Sequence, residues 1–378
     1  MLIKGGRLRS VNRILCILLI LLLILPLQGC KFKDIDLKLF VMAVGIDEAE
    51  NNPNKLSVTL KIAIPQGDPK KAEEQVQIIT EEGDTIAEIV RVMKSRIDKE
   101  LDFGHCKAVL FGEKYARKNI REAADWTMRR RDIQLTIYTA VARPSAKEVL
   151  NVQPVTERIP ANSILLALSK DGTESPFIVP PAFAYVLQRR IDERGADPIL
   201  ALVEKKSDQE FLINKSYLFD KSKAVTELEP EETRIYNLLS LKNLKTSLNV
   251  DYQGLKYAYN IEKSSAKYKI ITPTNGTPYI EYKIKILAEV EESHSGDIFN
   301  EKLLRDLSAA AGNQLNERVE RTLSKIHQAK CDPLGWGLRY QSRHWNNSEE
   351  WKEWEDLSER LEFHVKCDVD IKYTGMVR

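Results

Sequence analysis

The chain is poor in the residues that make a site recognisable from spacing alone. It has five cysteines in 378 residues, and none are in CxxC spacing. With Cys16 and Cys30 set aside, Cys106, Cys331 and Cys367 are an odd number, which argues against a disulfide framework. A single Cys331–Cys367 bridge stays open. Cys106 and Cys367 fall in strand-like runs, where a buried free thiol is the ordinary expectation. The five histidines, His105, His294, His327, His344 and His364, form no HExxH and no other metal-ligand spacing. There is no GxSxG, no phosphate-cradling glycine loop and no GxGxxG. A formal net charge of +2 gives no global pull towards nucleic acid. Arg129-Arg130-Arg131 reads as a solvated helix end. No apolar run reaches the roughly 20 residues that span a bilayer. No internal repeat and no low-complexity segment is present.

What is there begins at the N-terminus. Lys4, Arg7, Arg9 and Arg13 precede an apolar run over residues 14–25, interrupted only by the thiol of Cys16. Pro26 breaks it, and Leu27-Gln28-Gly29-Cys30 follows. A basic start, a short apolar core and a small residue at the cut site make a secretion signal. The cysteine straight after the small residue makes a lipobox. Lipobox processing would attach diacylglycerol to the Cys30 sulfur and leave Cys30 as the first residue. An ordinary cleaved signal or an uncleaved anchor would share the charge and length, but neither calls for the cysteine. Removing residues 1–29 takes four basic groups and leaves 53 basic against 55 acidic residues.

The remaining chain is too long for one ordinary core. Residues 37–46 and 56–64 read as two strands, paired as a hairpin across Asn51-Asn52-Pro53-Asn54, with Pro65 as a stop. A short strand is expected near Val76. Asp84 caps a helix whose apolar stripe is Ile86, Ile89, Val90, Met93 and Ile97. A strand at 106–111 follows. One amphipathic helix then carries Ala116, Ile120, Ala123, Ala124 and Thr127, and a further strand spans 135–142. Ser145 with Glu148 makes a capping box. Helices are expected at 164–168 and 182–191.

From Pro198 short strands at 199–203, 211–219 and 224–228 lead to a helix begun by Pro230. The last part has strands at 248–252, 256–261 and 268–272, a turn at Asn275-Gly276, and an alternating strand over 280–290. A long helix follows with the stripe Leu304, Leu307, Ala311, Leu315, Val319, Leu323 and Ile326. Ser348 caps a helix bearing Trp351 and Trp354. The closing strand alternates from Leu361 to Tyr373. One apolar and one wet face fit an antiparallel sheet with helices on one side. The expectation is an α+β chain of three domains, each a mixed or antiparallel sheet flanked by helices. A signal peptide (1–29) precedes an N-terminal α/β domain (30–197), a small middle domain (198–243) and a C-terminal domain with an antiparallel sheet and a long helix (244–378).

No residue pattern calls for catalysis or for a metal. His105 reads as a hydrogen-bonded structural histidine and His364 as a solvated one. A carboxylate pair assembled from distant segments leaves no trace in spacing. The most distinctive patch is Asp332-Pro333-Leu334-Gly335-Trp336-Gly337, with Trp345, Trp351 and Trp354 beyond it. Such a patch is either a binding hot spot or a helix stop with tryptophans roofing a sheet. On the first reading, Asp332, Gly335, Trp336 and Gly337 are candidate partner-binding residues.

Taken together, these residues resemble the Ger(x)C lipoproteins, the C subunits of nutrient germinant receptors in spore-forming bacteria. The resemblance rests on the lipobox cysteine, Val44-Gly45-Ile46-Asp47, Phe103-Gly104-His105-Cys106-Lys107, Phe111-Gly112-Glu113 and Ala146-Lys147-Glu148-Val149-Leu150. It continues through the Asp332 to Gly337 patch to a final strand closing in Thr374-Gly375. Phe32 stands where the family usually has tryptophan, and Leu334 where it more often has a bulkier residue. The resemblance implies three α/β domains, no enzymatic activity, and no cofactor beyond the covalent diacylglycerol and acyl lipid on Cys30. It also implies a lipid-anchored place on the outer face of the inner spore membrane, with integral membrane A and B subunits as partners. Direct contact with the nutrient is left open. The alternative is a solute-binding lipoprotein that delivers a small ligand to a permease, which would need two similar doubly wound lobes.

Overall fold

The computed structural model describes residues 15, 37–64, 75–154, 160–169, 182–293, 299–343 and 349–372. Cys30 and the residues around it, Trp345, Ser348 and Tyr373 lie outside that set. Two compact units are separated, residues 1–38 and 39–378. In the first, Leu15 is helical.

The second unit is built on two sheets. The larger has nine strands: β1 (Lys38–Glu48), β2 (Leu56–Ile64), β3 (Gln75–Gly83), β4 (Glu100–Asp102), β5 (Ala108–Gly112), β6 (Tyr138–Arg143), β7 (Ile199–Lys205), β8 (Phe211–Asp220) and β9 (Lys223–Leu228). Their order is β3-β2-β1-β5-β6-β7-β8-β9, with β4 on β1. The centre, β1-β5-β6-β7, is parallel, and the flanking pairs are antiparallel. Every residue of β5 is buried, as a strand covered on both faces requires. Helices α1 (Ile86–Ser95), α2 (Glu113–Lys118), α3 (Arg121–Arg129), α4 (Ala146–Asn151), α5 (Pro160–Leu168) and α6 (Ala184–Asp192) supply the cover. Residues of α1, α3 and α6 share one core; those of α4 and α5 belong to another, which runs on into the second sheet.

The smaller sheet, in order, is β10 (Thr246–Tyr252), β11 (Leu255–Ile271), β12 (Tyr279–Ser293) and β13 (Glu362–Lys372). Helix α7 (Pro230–Ser240) leads into it. Helix α8 (Glu301–Gln328) lies on its apolar face, and α9 (Trp336–Gln341) and α10 (Glu350–Ser358) complete the chain between α8 and β13. Leu307, Leu315, Val319 and Leu323 are fully buried in the core that holds Val369 and Ile371, with Leu304, Phe363 and Val365 partly buried against it. This is the expected docking of the long helix. Helix α8 also pins both sheet edges. Gln314 exchanges hydrogen bonds with the Asp251 backbone at 2.6 and 3.1 Å, while Asn316 and Ser308 accept from Cys367 N and Ile371 N. An edge strand so covered offers fewer unpaired groups to another chain.

Several expectations change. The strands expected in a separate middle domain have no sheet of their own among the described residues. Strand β7 pairs in parallel with β6, because the intervening helices carry the chain back to the same end. The C-terminal sheet is mixed rather than antiparallel, since α8 is a crossover and β13 runs parallel to β12. Strand β11 is one 17-residue strand where two were expected. Thr85, not Asp84, caps α1, its hydroxyl accepting from Glu88 N. The single amphipathic helix is α2 and α3, broken because the Asn119 side chain accepts from Arg121 N and Ile120 N turns to Ser222 O. Cys331 and Cys367 are free.

Candidate functional site

The first motif cluster seats α4 on the larger sheet. Asp47, at the end of β1, accepts from Ala146 N and Lys147 N at 2.8 and 2.9 Å. Ser145 caps the same helix through Glu148 N. Burial raises the Asp47 carboxyl, and the two N–H groups pull it back. Close approach explains the glycines. A Cβ on Gly112 would stand 1.8 Å from Asp47 Oδ1, and one on Gly45 would meet Ala146 Cβ and Leu150 Cδ1 at 2.9 Å. The other end of α4 is held from β2. The fully buried Lys61 donates to Val152 O at 2.9 Å, and burial lowers its pKa to about 8. An acid at the start of a helix and a cation at its end match the helix dipole.

The carboxyl ends of the parallel strands, where open α/β sheets bind ligands, carry a charged network. Arg143 reaches Glu113 at 2.6 Å, Glu204 at 2.8 Å and Glu227 at 2.5 Å. Tyr217 donates to Glu113 at 2.6 Å and accepts from Arg117 and Arg143. The Arg143 guanidinium holds Glu113 down at about 2. Burial alone would raise Glu227, but Arg143, Lys215 and Tyr217 keep it at about 2 as well. Each carboxylate is thus met by an internal cation. These residues come from five separate segments; Glu113 closes the Phe111-Gly112-Glu113 motif, but nothing in the sequence ties it to Arg143, Glu204, Tyr217 or Glu227.

The Asp332 to Gly337 patch is the second clasp. Asp332 Oδ1 accepts from Trp336 N at 2.9 Å and Oδ2 from Gly337 N at 2.7 Å, at the start of α9. Its backbone is tied to the loop after α6: Asp332 N donates to Asp197 Oδ2 at 2.7 Å and Asp197 N to Asp332 O at 2.8 Å. Lys221, in the β8–β9 turn, pairs with Asp197 at 2.8 Å. Arg190 donates to both Asp197 O and Pro333 O. Gly195 is left-handed (φ 74°), and a Cβ there would stand 2.3 Å from Leu338 N. Gly335 is left-handed too (φ 73°). Trp336 is 2% exposed; its Nε1 donates to Tyr282 OH at 2.6 Å and its ring meets Phe363 at 5.1 Å. Burial pushes the Asp332 carboxyl up to about 7 against the pull of Gly337 N and Trp336 N, and Asp197 beside it adds to the rise. Asp332, Gly335, Trp336 and Gly337 therefore bind the C-terminal unit to the larger sheet. The partners Asp197, Arg190 and Lys221 carried no sequence signal.

Beside this clasp lies an open groove of about 1020 Å³, walled by Trp336, Trp351 and Trp354. Among the described residues no group of three or more His, Cys, Asp or Glu side chains could hold a metal ion. No helix among them is long and apolar enough to cross a membrane.

A two-sheet α+β protein with buried carboxylate clasps at its motif residues is the class these observations define. Residues 31–205 match the spore germination protein N-terminal domain, and residues 214–375 match the spore germination B3/GerAC-like C-terminal domain. The chain belongs to this GerAC-like family of spore germination proteins. It is 24% identical to spore germination protein GerQC of Bacillus cereus, over 95% of this chain and 98% of that one. It is also 24% identical to spore germination protein KC of Bacillus subtilis (strain 168), covering 97% of each. The crystal structure of the GerBC protein shares the fold, with a TM-score of 0.56 and 18% identity over 88% of this chain and 97% of that one.

Proposed function

We propose that this chain is the lipid-anchored, non-enzymatic subunit of a spore nutrient germinant receptor, needed for receptor assembly and germination signalling. Its anchor is the diacylglycerol and acyl lipid on Cys30, and its place is the outer face of the inner spore membrane. Its partners are the integral membrane A and B subunits. The observation that carries this reading is end-to-end similarity to GerQC and KC, which leaves no part of those relatives unaccounted for beyond a few per cent. The lipobox at Leu27-Gln28-Gly29-Cys30 supports the anchor. Two acyl signals give stable attachment where one is marginal.

Gene deletion tests the role: germination should fail with one nutrient and persist with others. Unchanged germination with every nutrient would contradict it. Cys30→Ala tests the anchor: the protein should leave the membrane fraction or persist as precursor, with no fatty acid label. The solute-binding alternative needs two like lobes, whereas the sheets here have nine and four strands.

A further inference from the structure

The two ends of the larger sheet differ. Its carboxyl end carries the Arg143 network, whose charges are met internally. Its amino end, where β1, β5 and β6 enter side by side, carries exposed apolar groups. Leu135, in the connection from α3 to β6, is 41% exposed, and Tyr185, in the first turn of α6, is 44% exposed. The two are neighbours, with Tyr185 N donating to Leu135 O at 3.3 Å. The half-buried Phe183 stacks on Tyr185 at 5.9 Å and meets Tyr138, at the start of β6, at 5.0 Å. The same connection holds Arg129-Arg130-Arg131. Arg130 lies 4.0 Å over the Phe103 ring and pairs with Asp132, while Arg129 and Arg131 are exposed. An apolar and aromatic tip edged by arginine suits a membrane interface, with tyrosine at headgroup level and arginine against anionic lipid.

The chain enters the sheet at this same end. Leu39 opens the unit. Three residues on, Met42 O accepts from Lys107 N just before β5, and Lys107 O accepts from Tyr138 N. Leu39 follows Cys30 by nine residues, which span at most about 30 Å when fully extended. A lipid on Cys30 would keep the amino end of the sheet within that reach of the headgroups.

We propose that the amino end of the larger sheet is a membrane-contact surface, with Leu135, Phe183 and Tyr185 set at the headgroup level of an anionic bilayer and Arg129 and Arg131 on its phosphates. The proposal rests on the Cys30 anchor and adds which face of the protein the anchor turns towards the lipid. One lipid signal plus a basic patch holds a protein more firmly than the lipid alone.

The test is hydroxyl-radical labelling, read by mass spectrometry, of the full-length lipidated protein in vesicles of equal parts phosphatidylcholine and phosphatidylglycerol. Leu135 and Tyr185 should label roughly fivefold less than in vesicles of phosphatidylcholine alone, because removing the anionic headgroups removes the attraction. Phe211 and Leu212, half-buried at the carboxyl end beside the last residues of β7, should label equally in both. Arg129→Glu/Arg131→Glu, at exposed positions, should restore labelling of Leu135 and Tyr185 in the anionic vesicles with an unchanged circular dichroism spectrum. Equal labelling of those two side chains on both lipids, in wild-type protein that floats with the vesicles, overturns the proposal, and this arm needs no variant. Protection that follows protein density rather than phosphatidylglycerol would put a second copy on this face and overturns it too. Flotation reads the anchor by itself: protection without flotation would fail the Cys30 reading and leave the face standing.

Discussion

Asp47 and Asp332 each accept two backbone N–H groups at the start of a short helix, yet their surroundings differ. Asp47 works inside one sheet. It follows the fully buried Ile46 and faces Ser57 across the β1–β2 pair, Lys147 offsets part of the burial while Glu148 adds to it, and the helix it seats has Lys61 at its far end. Asp332 works between two regions, with a second carboxylate, Asp197, bonded to its own backbone N–H. Burial is the largest cause of the rise in both acids; it carries Asp332 to about 7, and Asp197 adds to it. The same hydrogen-bonding device is therefore a fixed seat in one place and a junction that titrates near neutrality in the other.

The sharpest way to break the comparison is steric. Gly112→Ala drives a methyl into Asp47 and should cost about 3–5 kcal/mol, from overpacking plus the displaced charge-assisted hydrogen bonds. Urea unfolding reads this, and in an Asp47→Ala background the same glycine change should cost under about 1 kcal/mol. A cost that persisted there would mean that Asp47 is not what Gly112 makes room for. Leu315→Ala, a truncation in the fully buried stripe of α8, should cost roughly 2–5 kcal/mol. It sets the scale for core loss without any clasp. Asp332→Ala leaves Trp336 N and Gly337 N without their acceptor and should cost about 2–3 kcal/mol. The smallest effect belongs to Glu317→Ala on the exposed face of α8, under about 0.5 kcal/mol. If Leu315 and Glu317 proved equally tolerant, α8 would not be docked as described.

Much of this architecture was legible because periodicity reports burial directly. The α8 stripe and the alternation of the last strand by themselves show which faces meet. Strand direction was not legible, because β13 obeys the same alternation whether parallel or antiparallel. The middle strands were cut off from the first sheet because their hydrogen-bonding partner, β6, lies more than fifty residues upstream, across loops rich in glycine and proline. The Asp332 patch stood out by composition, and its two open readings were surface hot spot and helix stop. Its side chains turn inward because Gly195, 137 residues away, lets the loop after α6 come within contact of α9, a pairing no local pattern encodes. The Arg143 network was invisible for the same reason.

The central claim is that Asp332 is a half-buried, titrating lock between the two sheets. Its folded pKa near 7 lies above its unfolded value of 3.8, so the folded state holds a proton that the unfolded state has released. That contribution is fully present below about pH 4 and is lost as pH rises to about 7. The direct measurement is the unfolding free energy of wild type and Asp332→Asn at intervals from pH 4.5 to 8. Wild type should lose stability relative to the Asn variant steadily up to about pH 7 and then hold a constant difference. A difference that did not change with pH would contradict the account.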